Sequence, residues 1–282
     1  MKIENTRVFN IEGAFRGMRN PLDSWGKSDS EFGLFRYEED LSWEVAEKYY
    51  PNADWRDSDN KTDVLEAETE IEENQDWLIE NGILNRNPDD DVYEYAFIGP
   101  KDMDLAQRLI QSGPEHRKFL RQIIVSFDIT APFYWWKEFD TYKVGTVANS
   151  CSTMHKLAAY PIEIDSFEIG DFNPDLVFHT DDSGDGDPVD WEIRDEIEDH
   201  IFFLEKLRQK YNETKDKRYW KELVRWLPEG WLQKRTVTLN YENLRSMWLQ
   251  RHNHKLTEWH TFCSWIESLP YAEDLITYDL KE

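Results

Sequence analysis

Four groups of residues have types and spacings that could support chemistry, and the first is a run of cations. Residues 113–121 read GPEHRKFLR and place His116, Lys118 and Arg121 in one short stretch. Imidazole, ammonium and guanidinium groups are suited to holding a phosphate or a flavin, and loops positioned by rigid elements often bind ligands. Ordinary surface charge is the alternative, and the sequence leaves both interpretations open.

The second group is WWKEFDTYKVGTVANSCST, residues 135–153, which ends in small hydroxyl-bearing residues. Short side chains with accessible backbone N–H groups suit phosphate, although Ser/Thr-rich turns are common. On a helix, Lys137 and Thr141 would share one face. Cys151 could act as a nucleophile, but the sequence identifies no Cys–His pair. A small buried thiol is the competing interpretation.

The third group lies on a predicted C-terminal helix. Counted from Asn240, residues Asn243, Met247, Arg251 and Lys255 fall near one stripe of that helix. An Arg beside an apolar stripe usually extends its charge into water. Here Met, Trp and Leu neighbours predict a partly buried guanidinium that could pair with an anion or a base edge.

The fourth group is DDSGDGDPVDWE, residues 181–192, which has acidic and hydroxyl residues at the spacing of a calcium-binding EF-hand loop. Pro188 occupies the position that is usually apolar, and it removes a backbone N–H. The preceding residues do not predict a helix. We therefore favour a solvated acidic turn, and we predict no metal site.

The apolar pattern predicts the elements that position these groups. Expected strands cover residues 7–15, 121–130 and 234–240. Expected helices cover residues 63–81, 101–112, 132–144, 191–211, 216–227 and 241–269. No internal repeat or low-complexity linker interrupts them. The prediction is one α+β domain over residues 1–282, with acidic elaborations at 37–93 and 161–204.

Composition limits the function classes. The chain has 282 residues, a net charge of −25 and 39% hydrophobic residues, including 13 Trp, so it has enough apolar side chains to fold. Its two cysteines cannot form a disulfide framework. No apolar stretch approaches the roughly 20 residues of a membrane span, and the N-terminus lacks a signal-peptide layout. We expect a soluble, cytoplasmic protein with no membrane partner.

The negative charge is unevenly distributed. Residues 1–100 carry −15 and residues 161–204 carry −14, whereas residues 101–160 carry +2 and residues 205–256 carry +7. The total charge opposes binding to nucleic acid. A small anionic ligand remains compatible with the neutral and basic segments.

The order of these features resembles the flavin-dependent thymidylate synthases. The matching features are a His-bearing loop, a strand ending SFDITAP, a helix followed by small polar residues, and LP…TVTLN…L…LQR before a closing helix. The resemblance covers residues 102–157 and 218–268. The family's motif is Arg-His-Arg followed, after seven residues, by a Ser. When the motif is aligned from Ala131-Pro132, these four positions fall on Thr141, Tyr142, Lys143 and Cys151, so the motif itself is replaced. Asn149 and Thr153 also stand where the family has an acidic residue and an Arg.

The resemblance implies an antiparallel sheet packed with long helices, as in thymidylate synthase-complementing proteins. It also implies FAD as cofactor, a dUMP-like pyrimidine nucleotide as substrate, and methylenetetrahydrofolate as a candidate second substrate. The substrate-binding residues that it implies are Lys137, Glu138, Lys143, Ser150, Cys151, Ser152 and Arg251. The cofactor-binding residues that it implies are His116, Lys118, Arg121, Tyr142, Asn149, Asn240 and Lys255. Family members place such sites at subunit interfaces, so we expect a homo-oligomer, specifically a homotetramer.

Two other functions stay open. The chain could be a catalytically silent protein that retains the fold and sequesters a nucleotide. Alternatively, its acidic, aromatic segment 37–93 could dock a basic protein partner without any small ligand.

Overall fold

The computed structural model of the protein describes residues 1–36, 84–87, 92–169, 177–179 and 190–280. The strands are β1 (Lys2–Phe9), β2 (Glu31–Arg36), β3 (Leu84–Asn87), β4 (Val92–Phe97), β5 (Ile124–Pro132), β6 (Val147–Ser150), β7 (Val177–His179), β8 (Asp190–Glu192) and β9 (Leu232–Asn240). The helices are α1 (Ile11–Arg19), α2 (Pro100–Gln111), α3 (Phe133–Phe139), α4 (Thr153–Lys156), α5 (Ile193–Thr214), α6 (Lys217–Arg225), α7 (Tyr241–Arg251) and α8 (Thr257–Glu267).

The chain divides into two compact units. The first unit comprises Met1–Asn5 and Phe127–Val237, and the second comprises Thr6–Ser126 and Thr238–Glu282. Strands β1, β5 and β9 each contribute residues to both units. Whether the chain folds as the one domain expected from the sequence stays a prediction.

The main sheet has four strands in the order β1-β5-β9-β6. In β5, Val125, Phe127 and Ile129 are buried, and Ser126 and Asp128 between them are only half-buried, which is the alternation of a strand with one core face. Smaller antiparallel ladders join β2 and β3 to β4, and β7 to β8. The predicted α+β class, an antiparallel sheet with long helices, is confirmed.

Several predicted elements are confirmed within a few residues. These are the helices expected at 101–112, 191–211 and 216–227 and the strand expected at 234–240. Their ends have local causes. Pro100 lies in the first turn of α2, and Gly113 after it has φ 103°. The Asp216 side chain caps α6 by accepting from the Arg218 N–H at 2.9 Å.

The strand predicted over residues 7–15 is wrong beyond Phe9. Asn10 has φ 66°, in the left-handed region, and it ends β1 by turning the chain into α1. Ile11, Phe15 and Met18 are then buried on one face of the helix. Their spacing of four and three residues is that of a helix, not the two-residue alternation of a strand.

The helix predicted over residues 132–144 is too long. It begins at Phe133 and ends at Phe139, after Trp135, Trp136 and Phe139 have been buried. No residue from 140 to 146 is buried, so packing does not extend the helix further. The strand predicted at 121–130 likewise starts late, because residues 118–122 form a 3-10 helix.

The single helix predicted over residues 241–269 is two helices. α7 ends at Arg251, where the His252 ring stacks on Trp248 at 4.4 Å and contacts the Trp248 carbonyl. The turn then lets α8 pack against α7 and bury Trp259 and Phe262. Lys255 lies in this turn, so it is not on the helical stripe that was expected to carry it.

Some predictions lie outside the described residues. They include the helix at 63–81 and most of the acidic loop at 181–192, of which only the β8 residues are described. Parts of the two acidic elaborations form β3, the start of β4, β7, β8 and the start of α5. In the described part of the chain, no helix is both long and apolar enough to span a membrane.

Candidate functional site

The first unit contains a pocket of about 350 Å³. Its wall is formed by the segment that follows β6, by the loop before β7 and by the start of β9. The lining residues are Thr130, Cys151, Ser152, Thr153, Lys156, Leu157, Tyr160, Pro161, Asp165, Ser166, Trp231, Leu232, Gln233 and Lys234. This volume is within the range of small-molecule sites.

Strand β9 fixes the segment that begins at Cys151. The Cys151 N–H donates to the Lys234 carbonyl at 2.8 Å. The side-chain amide of Gln233 donates to the Cys151 carbonyl at 3.1 Å and to Thr153 Oγ1 at 3.2 Å. These bonds place the Cys151 thiol and the hydroxyls of Ser152 and Thr153 at the pocket.

Helix α5 holds another part of the wall, residues 158–162. Glu205 accepts from the Ile162 N–H at 3.1 Å and pairs with Arg208 at 2.6 Å. Arg208 and Asn212 both donate to the Ala158 carbonyl, at 3.3 and 2.9 Å. The hydrogen bond from Arg208 lowers the pKa of Glu205 to about 2, against the effect of burial. The wall segment 158–162 is therefore tied to α5 by an ionised network.

Two lysines bring positive charge to the pocket. Lys234 Nζ lies 3.2 Å from Asp128 Oδ2 and 3.8 Å from Glu4 Oε2, so part of its charge is compensated. Hydrogen bonds from Thr236, Asn5 and Lys234 lower the pKa of Asp128 to about 2. Lys156 is exposed, and no carboxylate of the described ranges forms an ion pair with it.

The chemistry of the lining suits an anion attached to a flat ring. Ser152, Thr153 and Ser166 provide hydroxyls, and the lysines provide cations. The aromatic faces of Trp231 and Tyr160 provide a surface for a planar group. Asp165 adds one carboxylate to the lining.

Comparisons with known proteins bear on the fold. No family model matches the chain, and no curated protein sequence matches it. A solved structure of flavin-dependent thymidylate synthase ThyX from Helicobacter pylori, complexed with FAD and dUMP, aligns over 100% of both chains with a TM-score of 0.55 and 14% identity. A second structure of that enzyme with FAD and dUMP gives the same TM-score and coverage at 15% identity. The fold is that of the flavin-dependent thymidylate synthases.

Within this thymidylate synthase-like fold, the predicted substrate residues of the first unit have different environments. Cys151 and Ser152 line the pocket. Lys137 instead pairs with Glu229 at 2.5 Å on the exposed side of α3. Lys143 and Ser150 are exposed before and within β6. Half-buried Glu138 accepts, through its carbonyl, from the Thr141 N–H and hydroxyl. The structure therefore brings two of these residues to the pocket, and the substrate-binding roles of all seven stay predictions.

The predicted cofactor residues are divided between the units. In the first unit, Tyr142 is half-buried and Asn149 is exposed on β6. In the second unit, His116, Lys118 and Arg121 are exposed at the 3-10 segment. Their contacts are weak, because Lys118 lies 3.9 Å from Glu115 and Arg121 lies 3.4 Å from the Pro114 carbonyl. These three side chains therefore remain accessible to a ligand.

The C-terminal residues have structural contacts of their own. Asn240 caps α7, accepting from the Asn243 N–H at 3.0 Å. The Arg251 guanidinium lies over the Trp259 ring at 4.8 Å, a half-buried position that agrees with the predicted environment. Lys255 is exposed in the turn after α7.

Sequence reasoning missed most of the pocket. Lys156, Tyr160, Asp165 and Trp231 carry no motif. Lys234 could have been found from the alternation of β9, because its side chain lies on the same face as Thr236 and both contact Asp128. The Ser/Thr-rich run gave the useful signal for Cys151 and Ser152.

Proposed function

We propose that the protein binds a pyrimidine mononucleotide of the dUMP type in the first-unit pocket. The observation that carries this proposal is the meeting of Lys156, Lys234 and three hydroxyls with aromatic surface in one cavity of about 350 Å³. A nucleotide phosphate matches the cations and hydroxyls, and its base matches the aromatic surface. Hydrogen bonds to charged groups contribute roughly 1.5–3 kcal/mol each, so a few of them support micromolar binding.

The fold supports the choice of ligand. The Helicobacter pylori enzymes that share it hold dUMP and FAD. In the proposal, Cys151 and Ser152 join Lys156 and Lys234 at the phosphate, with Lys143 and Ser150 as further candidates. The base contact that the resemblance implies for Arg251, which belongs to the second unit, stays a prediction. Family sites at subunit interfaces add the expectation that the protein is a homo-oligomer.

The proposal extends to FAD through the second-unit cations. The exposed side chains of Lys118 and Arg121 fit a diphosphate by charge, and the His116 imidazole could hydrogen-bond to it. Asn240 fits less well, because its carboxamide oxygen already caps α7. Bound reduced FAD would supply a hydride to the pyrimidine, with the one-carbon unit coming from methylenetetrahydrofolate. The activity would then be methylation of a pyrimidine nucleotide.

Calorimetry with dUMP and UMP on the full chain tests the nucleotide site. We expect micromolar binding, weakened roughly tenfold by Lys156→Ala. Lys210→Ala is the matched control, since Lys210 pairs with Glu213 on the exposed side of α5 away from the pocket lining, and it should bind normally. Equal loss in both variants, or no binding by the unsubstituted protein, would contradict the pocket assignment.

A silent nucleotide-binding protein is the second candidate. It is favoured by the side chains at the family's motif positions, since Thr141 and Tyr142 replace charged groups and the Thr141 hydroxyl donates to the Glu138 carbonyl. Absorbance spectra with added FAD, combined with an assay for dTMP, separate the two. Binding of dUMP by a colourless protein that forms no dTMP would establish the silent function.

A further inference from the structure

The side-chain amide of Gln233 has a fixed orientation in the pocket wall. Arg235 Nε lies 2.9 Å from Gln233 Oε1. A guanidinium can only donate hydrogen bonds, so the amide oxygen must face Arg235. The Nε2 group must therefore face Cys151 and Thr153.

This orientation determines what the Thr153 hydroxyl can do. The two protons of Gln233 Nε2 point to the Cys151 carbonyl and to Thr153 Oγ1, at 3.1 and 3.2 Å. Thr153 Oγ1 is thus an acceptor toward Gln233, and its own proton must point elsewhere. Within the described ranges, no protein group accepts that proton. Because Thr153 lines the pocket, its hydroxyl is available to donate to a ligand.

Arg235 is itself held in place. Its NH1 donates to Asp140 Oδ1 at 2.7 Å, and its guanidinium lies over the buried Trp136 ring at 4.0 Å. The Trp136 indole N–H donates to the Gln233 carbonyl at 3.0 Å. The hydrogen bonds from Arg235 through Gln233 to Thr153 therefore all run in one direction, and the starting cation cannot reverse them.

We propose that Arg235 and Gln233 are positioning residues that make the Thr153 hydroxyl a donor to an acceptor oxygen of the bound ligand. The inference rests on the proposed function for the identity of that ligand, a pyrimidine mononucleotide. Its phosphate oxygens and the uracil carbonyls are both acceptors. Either of these oxygens could accept the hydroxyl proton that Gln233 leaves uncommitted.

A double-mutant cycle tests the direction of the hydrogen bonds that run from Arg235 through Gln233 to Thr153. Gln233→Glu keeps a partner for Arg235 but presents an acceptor to Thr153, so the hydroxyl would donate to the new carboxylate instead of the ligand. We expect Gln233→Glu and Thr153→Val each to weaken dUMP binding roughly tenfold or more. The fold-loss of dUMP affinity in the double variant should be much smaller than the product of the two single fold-losses. Multiplicative losses would overturn the proposal.

Two further variants separate positioning from general damage. Thr153→Ser keeps the hydroxyl and should retain dUMP affinity. Arg235→Lys keeps a positive charge near Asp140 but lacks the planar fork that orients the amide, so it should weaken binding. Comparing dUMP with deoxyuridine identifies the acceptor. If the acceptor is the phosphate, Thr153→Val will weaken the binding of dUMP but not that of deoxyuridine, which has no phosphate.

A measurement without ligand separates this inference from the proposed function. In ¹⁵N–¹H spectra, the Gln233 side-chain amide signals should shift in Thr153→Val and in Arg235→Lys. Unchanged signals would overturn the positioning role whatever dUMP does. Shifted signals in a protein that fails to bind dUMP would instead support the hydrogen-bond chain and contradict the nucleotide assignment.

Discussion

At the scale of single residues, the two cysteines show how surroundings set reactivity. Cys151 is exposed at the pocket, and Cys263 is buried in α8. Burial raises the pKa of Cys263 to about 12, so its reactive thiolate is scarce at neutral pH. The buried thiol that the sequence suggested for Cys151 is wrong, because residues 147–151 after the short α3 are all exposed.

We predict that a thiol reagent such as DTNB labels one cysteine in the native protein and two in urea. Cys151→Ser should reduce native labelling nearly to zero, because Cys263 alone remains. Cys263→Ser should label like the unsubstituted protein. Rapid native labelling of Cys151→Ser would contradict the assignment.

The carboxylate of Asp128 predicts a pH dependence of stability. Its folded-state pKa of about 2 lies below the usual value of 3.8, chiefly because Thr236 and Asn5 donate to it. A depressed pKa contributes stability that is complete above about pH 4 and is lost as the pH falls toward 2. Urea unfolding of Asp128→Asn should therefore differ from that of the unsubstituted protein at neutral pH, and the difference should shrink between pH 4 and 2.

Asp23→Asn is the matched control for this profile. Asp23 is exposed and lies outside the Asp128 cluster, and its φ of 47° is tolerated by Asn. A difference between Asp128→Asn and the unsubstituted protein that stays constant down to pH 2 would show that the Asp128 charge does not contribute.

At the scale of elements, α5 acts as a support for the pocket. It is 22 residues long, and its Glu205, Arg208 and Asn212 side chains bind the backbone of residues 158–162. Tyr160 and Pro161 of that segment line the pocket. The helix was predicted from its periodicity, but this function depends on long-range contacts that no local pattern encodes.

We predict that Asn212→Ala loosens the pocket wall. Loss of its hydrogen bond to the Ala158 carbonyl should cost about 1 kcal/mol in the free energy of unfolding, measured in urea. Hydrogen exchange should rise at residues 158–162. Lys210→Ala, on the same helix, removes only an exposed pair with Glu213 and is the control. Equal effects of both variants would argue against the support role.

Elements that follow local rules were predictable, and those decided by packing were not. Pro100 and Gly113 mark the ends of α2, and β-branched alternation marks β5. The division of residues 241–269 at His252 carries no Gly or Pro signal, and its cause is the packing of α8 on α7. The same limitation applies to the site, since Cys151 lies in a recognisable run but Tyr160 and Trp231 reach the pocket only through tertiary structure.

At the scale of the whole molecule, the charge of −25 and the proposed ligand are compatible because they act over different distances. At about 0.1 M salt, charges farther apart than roughly 10 Å are largely screened. A mononucleotide in the pocket experiences Lys156 and Lys234 directly. A polynucleotide would extend over many surface residues, and 58 acidic residues outnumber 33 basic ones in the chain.

This difference leads to a prediction about partners. Fluorescence anisotropy with a labelled single-stranded oligonucleotide should show no binding at micromolar protein and about 0.1 M salt, under conditions where dUMP binds by calorimetry. Strong polynucleotide binding draws on counterion release from many phosphates, which needs a continuous basic surface. A basic protein of similar size serves as the positive control for the probe. Oligonucleotide binding that weakens steeply with added salt would reveal such a surface and would contradict the argument from charge.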